Sequence, residues 1–270
     1  MPHNSLTDAL GVRPTDRLAC VGAGGKTTLC WRVWNELCAI RQPAIFTTTT
    51  HILEPILPPD SALILAGDPD PTRIGQLLAH VTGVILAASR SSDAVDRLEP
   101  NPAAPARSMK LTGLSPEQID ILAAHLSGVT WLVEADGARG RGLKAPAAHE
   151  PAIPTRATAV AVLTHLDAIG RPLDDAIAHR PARVAEHLQM HIGDRVAAEH
   201  IVRLLLDPSA GLKGIPGGAR AIAVLSQRDA APIHPQAKSI AESLLAAGPY
   251  ERVVAVSLRA EQPVLEVLAA

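Results

Sequence analysis

Aromatic residues are nearly missing from this chain: three Trp, one Tyr and one Phe stand among 270 residues. A core made without them must rest on Leu, Ile, Val and Ala. Cysteine is almost as scarce. Cys20, Cys30 and Cys38 are too few for a disulfide framework, and no Cys-x-x-Cys pair offers a structural zinc site. They read as small buried hydrophobes in a reducing cytosol. Surplus charge is also lacking. A formal net charge of −2 gives no electrostatic case for nucleic acid or an anionic membrane surface. No apolar run approaches the ~20 residues of a spanning helix. The opening Met1-Pro2-His3-Asn4 lacks the charged-then-apolar layout of a signal peptide. These absences lead us to expect a cytoplasmic protein without nucleic-acid or membrane partners.

What is present is a regular alternation. Apolar runs read as strands at 18–21, 44–47, 62–65, 84–86, 131–133, 159–163, 221–225 and 253–256. Helical patterns lie at 26–39, 72–81, 116–126, 182–190, 195–205 and 236–247, with a short helix at 5–10 capped by Ser5. Near-continuous apolar strands separated by helices argue for a mostly parallel sheet covered on both faces. The expected fold is α/β and P-loop NTPase-like, one domain over 1–270 with a small helical insertion at 168–215. Residues 90–108 read as an exposed loop. Residues 137–157, rich in Gly and Pro, are too long for an ordinary connection and read as a functional or disordered loop.

The first strand runs into Val21-Gly22-Ala23-Gly24-Gly25-Lys26-Thr27-Thr28. A strand, a glycine-rich turn, Gly-Lys-Thr and a helix is the layout of a phosphate-binding loop. Its amides cradle phosphates, its lysine meets the β/γ-phosphates and its hydroxyl reaches Mg²⁺. Cys20 stands where the common pattern begins with glycine. After the second strand comes Thr47-Thr48-Thr49-Thr50-His51, at the strand end where open sheets bind ligands. Thr48 and Thr49 could meet Mg²⁺, water or phosphate, and His51 could serve as acid or base. Trp131-Leu132-Val133 ends in Glu134 and Asp136, carboxylates suited to a Mg²⁺ shell. In the next loop Arg139, Arg141 and Lys144 could grip a phosphate or an acidic substrate, and His149 and Glu150 could move protons. Leu225-Ser226-Gln227-Arg228-Asp229 shares only Asp229 with the Asn-Lys-x-Asp that reads guanine. His187 and His191, at i,i+4 spacing without an evident third ligand, read as surface residues.

Together these stretches resemble the YqeC-type family of accessory proteins of selenium-dependent molybdenum hydroxylases. The resemblance rests on Val21–Thr28, Thr47–His51, Val133–Arg139, Leu143–Pro151, Gly170, His179-Arg180-Pro181 and Leu225–Asp229. It runs from about residue 17 to 257, with Ser226 where asparagine is expected. It implies a cytoplasmic P-loop-type protein that acts in maturation of a selenium- and molybdenum-containing hydroxylase. The residues themselves point to ATP or GTP with Mg²⁺. Gly22, Ala23, Gly24, Gly25, Lys26, Thr27 and Thr28 would hold phosphate, and Thr27, Glu134 and Asp136 would hold the metal. A small-molecule kinase or nucleotidyltransferase acting on a cofactor precursor, and a non-catalytic nucleotide switch docking the hydroxylase, are the alternatives.

Overall fold

The computed structural model describes residues 5–96 and 107–269. In chain order it runs α1 (Leu6–Ala9), β1 (Arg17–Gly22), α2 (Lys26–Ala39), β2 (Ala44–Thr48), β3 (His51–Leu53), β4 (Ser61–Leu65), α3 (Pro71–Leu78) and β5 (Gly83–Ala87). Next come β6 (Ser89–Asp96), β7 (Arg107–Thr112), α4 (Pro116–His125), β8 (Thr130–Glu134), β9 (Leu143–Lys144), β10 (Ala159–His165), β11 (Ala178–His179) and α5 (Pro181–Leu188). The chain continues through α6 (Ala198–Leu206), β12 (Arg220–Ser226), α7 (Ala237–Ala247), β13 (Tyr250–Val256) and β14 (Val264–Ala269).

Nine strands form one sheet in the order β14-β13-β12-β10-β1-β8-β2-β5-β4, parallel except for β14. The fold is thus α/β, with a large, mostly parallel sheet flanked by helices. Side chains alternate across a strand, and the alternation sorts the sheet residues between two cores. Leu18 and Cys20 of β1, Phe46 of β2, Leu132 of β8 and Leu163 of β10 pack with Leu6 of α1 and Leu29, Val33, Trp34 and Leu37 of α2. Their neighbours Ala19, Val21, Ile45, Trp131, Val133 and Val162 pack on the other face with α3 to α7, through Ile74, Ile119, Leu188, Leu204 and Leu244. Continuous apolar strands are what two buried faces require.

Local chemistry sets several helix starts. Ser5 Oγ accepts the Asp8 N–H at 3.0 Å, and Ser115 with Gln118 forms a reciprocal cap on α4. Asp70 followed by Pro71 opens α3. By contrast, α2 starts at Gly25 with no side-chain cap, as α5 and α7 also do.

One expectation changes. Residues 90–108, poor in pattern and rich in Pro, Ser and Arg, are expected as an exposed loop. Instead β6 and β7 pair there antiparallel, and β3 joins them in a separate three-stranded sheet. Residues 97–106 of that stretch lie outside the described residues. The loop 137–157 is ordered, and its β9 pairs with β11 in parallel.

Trp34 tests the α2 core. It is fully buried and donates its indole N–H to the Ala44 carbonyl at 3.1 Å. Trp34→Ala should cost about 3–5 kcal/mol of stability, read as a lowered urea midpoint. A loss below ~1 kcal/mol would mean that α2 is not packed as described.

Candidate functional site

The site forms where β1, β8 and β10 end. Three glycines after Val21 take left-handed angles, Gly22 at φ +88°, Gly24 at +97° and Gly25 at +112°. At Gly22 space matters as well as angle, since a Cβ would lie 2.3 Å from the Leu163 carbonyl oxygen. The turn is therefore pressed against β10, and Ala23 N–H donates to that same carbonyl at 2.9 Å. On its outer side a Gly24 Cβ would stand 2.7 Å from Ser226 Oγ. Ser226 Oγ lies 2.8 Å from the Gly24 carbonyl and 3.0 Å from that of Thr164. The hydroxyl's single proton serves one of them at a time.

Lys26, only 4% exposed, folds back into the turn. Its ammonium donates to the Gly22 carbonyl at 2.7 Å and pairs with Asp136 Oδ1 at 3.0 Å. The other oxygen of Asp136 accepts the Gly22 N–H at 3.0 Å and lies 3.1 Å from Lys144 Nζ. Lys144 also donates to the Gly137 carbonyl at 2.7 Å and reaches Glu150 Oε2 at 3.2 Å. Glu150 Oε2 accepts from Arg180 at 2.7 Å and from the Ala147 N–H at 2.9 Å. The result is a chain of alternating charge from Lys26 through Asp136, Lys144 and Glu150 to Arg180. Its inner members are dry, so each charge depends on its neighbour.

Glu134 sits beside this chain, at the end of β8 on the α2 side. Thr27 Oγ1 donates to its Oε2 at 2.6 Å. Burial pushes the Glu134 carboxyl up to about 7, and Asp136 adds to the rise while Lys26, Thr27 and Lys144 oppose it. Burial works against the charge on Lys26, yet Asp136 and Glu134 outweigh it and leave its pKa raised. Glu150 goes the other way. Burial raises it, but the Ala147 N–H, Arg180 and Lys144 together hold it down at about 2.

Thr48 and Thr49 join the site through the backbone of Glu134. Thr48 Oγ1 donates to the Glu134 carbonyl at 2.8 Å, and Thr49 N–H donates to it at 3.0 Å. Thr49 Oγ1 is buried without a hydrogen bond. Thr27 Oγ1 and the Glu134 carboxylate bring two hard oxygens together, of the kind that Mg²⁺ takes beside water or phosphate. No group of three or more His, Cys, Asp or Glu among the described residues could hold a metal by itself.

The other sequence-predicted residues stand outside this cluster. His51 is exposed on β3 in the separate sheet, and His149, Arg139 and Asp229 are exposed on loops. Thr28 is buried in the first turn of α2. Gln227 is a rivet in its loop, donating to the carbonyls of Asp229 at 2.6 Å and Pro232 at 3.0 Å and accepting the His234 N–H. His187 and His191 take separate aspartates, Asp207 at 2.7 Å and Asp194 at 3.5 Å. Sequence reasoning missed the closure of the turn by β10 and β12, through Leu163, Thr164 and Ser226. Those partners are set by strand order, and no local pattern signals them.

The family model described as YqeC protein matches residues 18–182, more than half of the chain. The chain belongs to the YqeC family. It is similar to the uncharacterized protein YqeC of Escherichia coli strain K12, with 29% identity over 210 residues, 78% of this chain and 75% of the relative. No solved structure matches the chain. The family match spans the glycine turn, both carboxylates, Lys144, Glu150 and Arg180. It stops short of Ser226 and β12.

Two predictions follow from the charge chain. Asp136→Ala would leave two buried ammonium groups facing each other and should cost about 3–5 kcal/mol, read by urea unfolding. A loss under ~1 kcal/mol would contradict the chain. The two displaced carboxyls set a pH profile. Glu134 is raised from 4.5 to about 7, so its contribution is full below about pH 4.5 and lost as pH rises through 7. Glu150, lowered to about 2, contributes above about pH 4.5 and loses that as pH falls toward 2. Between about pH 5 and 7.5 the unfolding midpoint should fall in the parent and fall less in Glu134→Gln. Equal slopes would place Glu134 in a less buried setting.

Proposed function

We propose that this chain binds a nucleoside triphosphate with Mg²⁺ at the glycine turn and hydrolyses or transfers its terminal phosphoryl group. The observation that carries this reading is the uncapped start of α2. Left-handed Gly24 and Gly25 lead straight into Lys26 and Thr27, beside Glu134 and Asp136. A helix start with no side-chain cap presents amides and a positive dipole end to an anion. Lys26 would exchange the Gly22 carbonyl for β/γ-phosphate oxygens while keeping Asp136 close. Thr27 and Glu134, now hydrogen-bonded to each other, would open to share Mg²⁺, with Asp136 completing the charge balance. Positioning and electrostatic stabilisation would supply most of the catalysis.

The physiological setting we propose is maturation of a selenium-dependent molybdenum hydroxylase or its cofactor, in the cytoplasm. The YqeC resemblance supports that setting. A second reading, a nucleotide switch docking the hydroxylase, is favoured by one observation. Asp136 joins the glycine turn to Lys144 in the 137–157 loop, so phosphate drawn to Lys26 would be felt there.

Calorimetry with ATP, GTP and CTP plus Mg²⁺, on the parent and on Lys26→Met, tests the reading. One nucleotide should bind best and weaken by about 10- to 100-fold in the variant, the loss of a charge-assisted bond of ~1.5–3 kcal/mol. Circular dichroism would show that the variant is folded. Binding to none of the three, or equal affinity in both proteins, would sink the proposal. Because Glu134 must ionise to take a metal, Mg²⁺-dependent affinity should also rise between about pH 6 and 8. A flat profile would remove Glu134 from the metal shell.

A further inference from the structure

A cavity of about 20 Å³ lies on the sheet face opposite α2. Val21 of β1 and Val162 of β10 wall it from the sheet, and Pro151 and Leu205 from the loop and helix above. Asp136, Lys144 and Thr164 supply its polar lining. Two of those groups are buried with hydrogen-bonding capacity unused. Thr164 Oγ1 has no hydrogen-bond partner, and Asp136 Oδ1 takes the Lys26 ammonium at 3.0 Å, which leaves that oxygen a further lone pair. Both residues are 2% exposed, and polar atoms so deeply buried are rarely left unpaired.

The lining selects the chemistry of an occupant. A cation is repelled by the Lys26 and Lys144 ammonium groups that flank Asp136. An anion is repelled by the carboxylate, whose free lone pairs call for a donor. The apolar walls offer a larger polar group nothing. A neutral group that donates to Asp136, and donates to or accepts from Thr164, meets every condition. A single water needs roughly 10–15 Å³ of such space, so the room matches one oxygen.

We propose that this cavity is a binding site for one neutral hydroxyl, from a water molecule or a small alcohol, held between Asp136 Oδ1 and Thr164 Oγ1. The hydroxyl would share Asp136 Oδ1 with the Lys26 ammonium and hold the carboxylate against the glycine turn. The site stands on the cavity and its lining. It survives even if no nucleotide binds.

High-resolution crystal structures of the nucleotide-free parent, Thr164→Val and Thr164→Ser test it, with a parent crystal soaked in ethylene glycol. The parent should show one oxygen within hydrogen-bonding distance of both atoms. Thr164→Ser should keep it, and Thr164→Val, nearly equal in shape, should lose it. In ethylene glycol, replacement by a diol hydroxyl would identify an alcohol site, and a persisting water a solvent site. An empty cavity in the parent, an ion there, or an oxygen undisturbed in Thr164→Val would overturn the proposal. Should Thr164→Val fail to fold, the parent and Thr164→Ser structures still decide it.

Discussion

The carboxylate of Asp136 stands between two buried ammonium groups, Lys26 of the glycine turn and Lys144 of the following loop. It also holds the Gly22 amide. Remove it and two positive charges face each other in a dry interior, while the turn loses its inner tether. The alternating chain that begins there ends at Arg180, just before α5. One carboxylate thus ties the end of β1, the end of β8 and the later helical segment into a single electrostatic unit.

That unit depends on the sheet being ordered as it is. With β1 central and flanked by β8 and β10, the carboxylates at the end of β8 fall beside the turn. The carbonyl of Leu163 on the other side forbids a Cβ at Gly22. β12, one strand further out, supplies Ser226, whose hydroxyl reaches back to Gly24. The turn is held from three strands, and α2 starts from it with no side-chain cap. A loop held so firmly loses little freedom when an anion arrives, and such preorganisation favours binding.

Much of this was legible in the sequence, and the reason is local. Strand, glycine turn, Lys26 and Thr27 are contiguous, and Glu134 and Asp136 follow an apolar strand that names itself. The apolar alternation likewise marked eight strands of the main sheet. What was not legible has distant partners. Ser226 and Gly24 are 202 positions apart, and only the strand order brings them together. β6 escaped notice because Ser89–Asp96 carries no apolar period, and pairing with β7 makes it a strand. His51, His149, Arg139 and Asp229 lie near the motifs along the chain yet are exposed, because nearness in sequence does not fix the side on which a side chain points.

The central claim is that the glycine turn and the 137–157 loop act together through Asp136. Amide hydrogen exchange measured with and without the best-binding nucleotide and Mg²⁺ tests it most directly, on the parent and on Lys144→Met. The account predicts that nucleotide slows exchange at 22–28 and also across 136–150 in the parent, and at 22–28 alone in the variant. Protection confined to 22–28 in the parent would contradict the coupling, and no protection at 22–28 with any nucleotide would contradict the site itself.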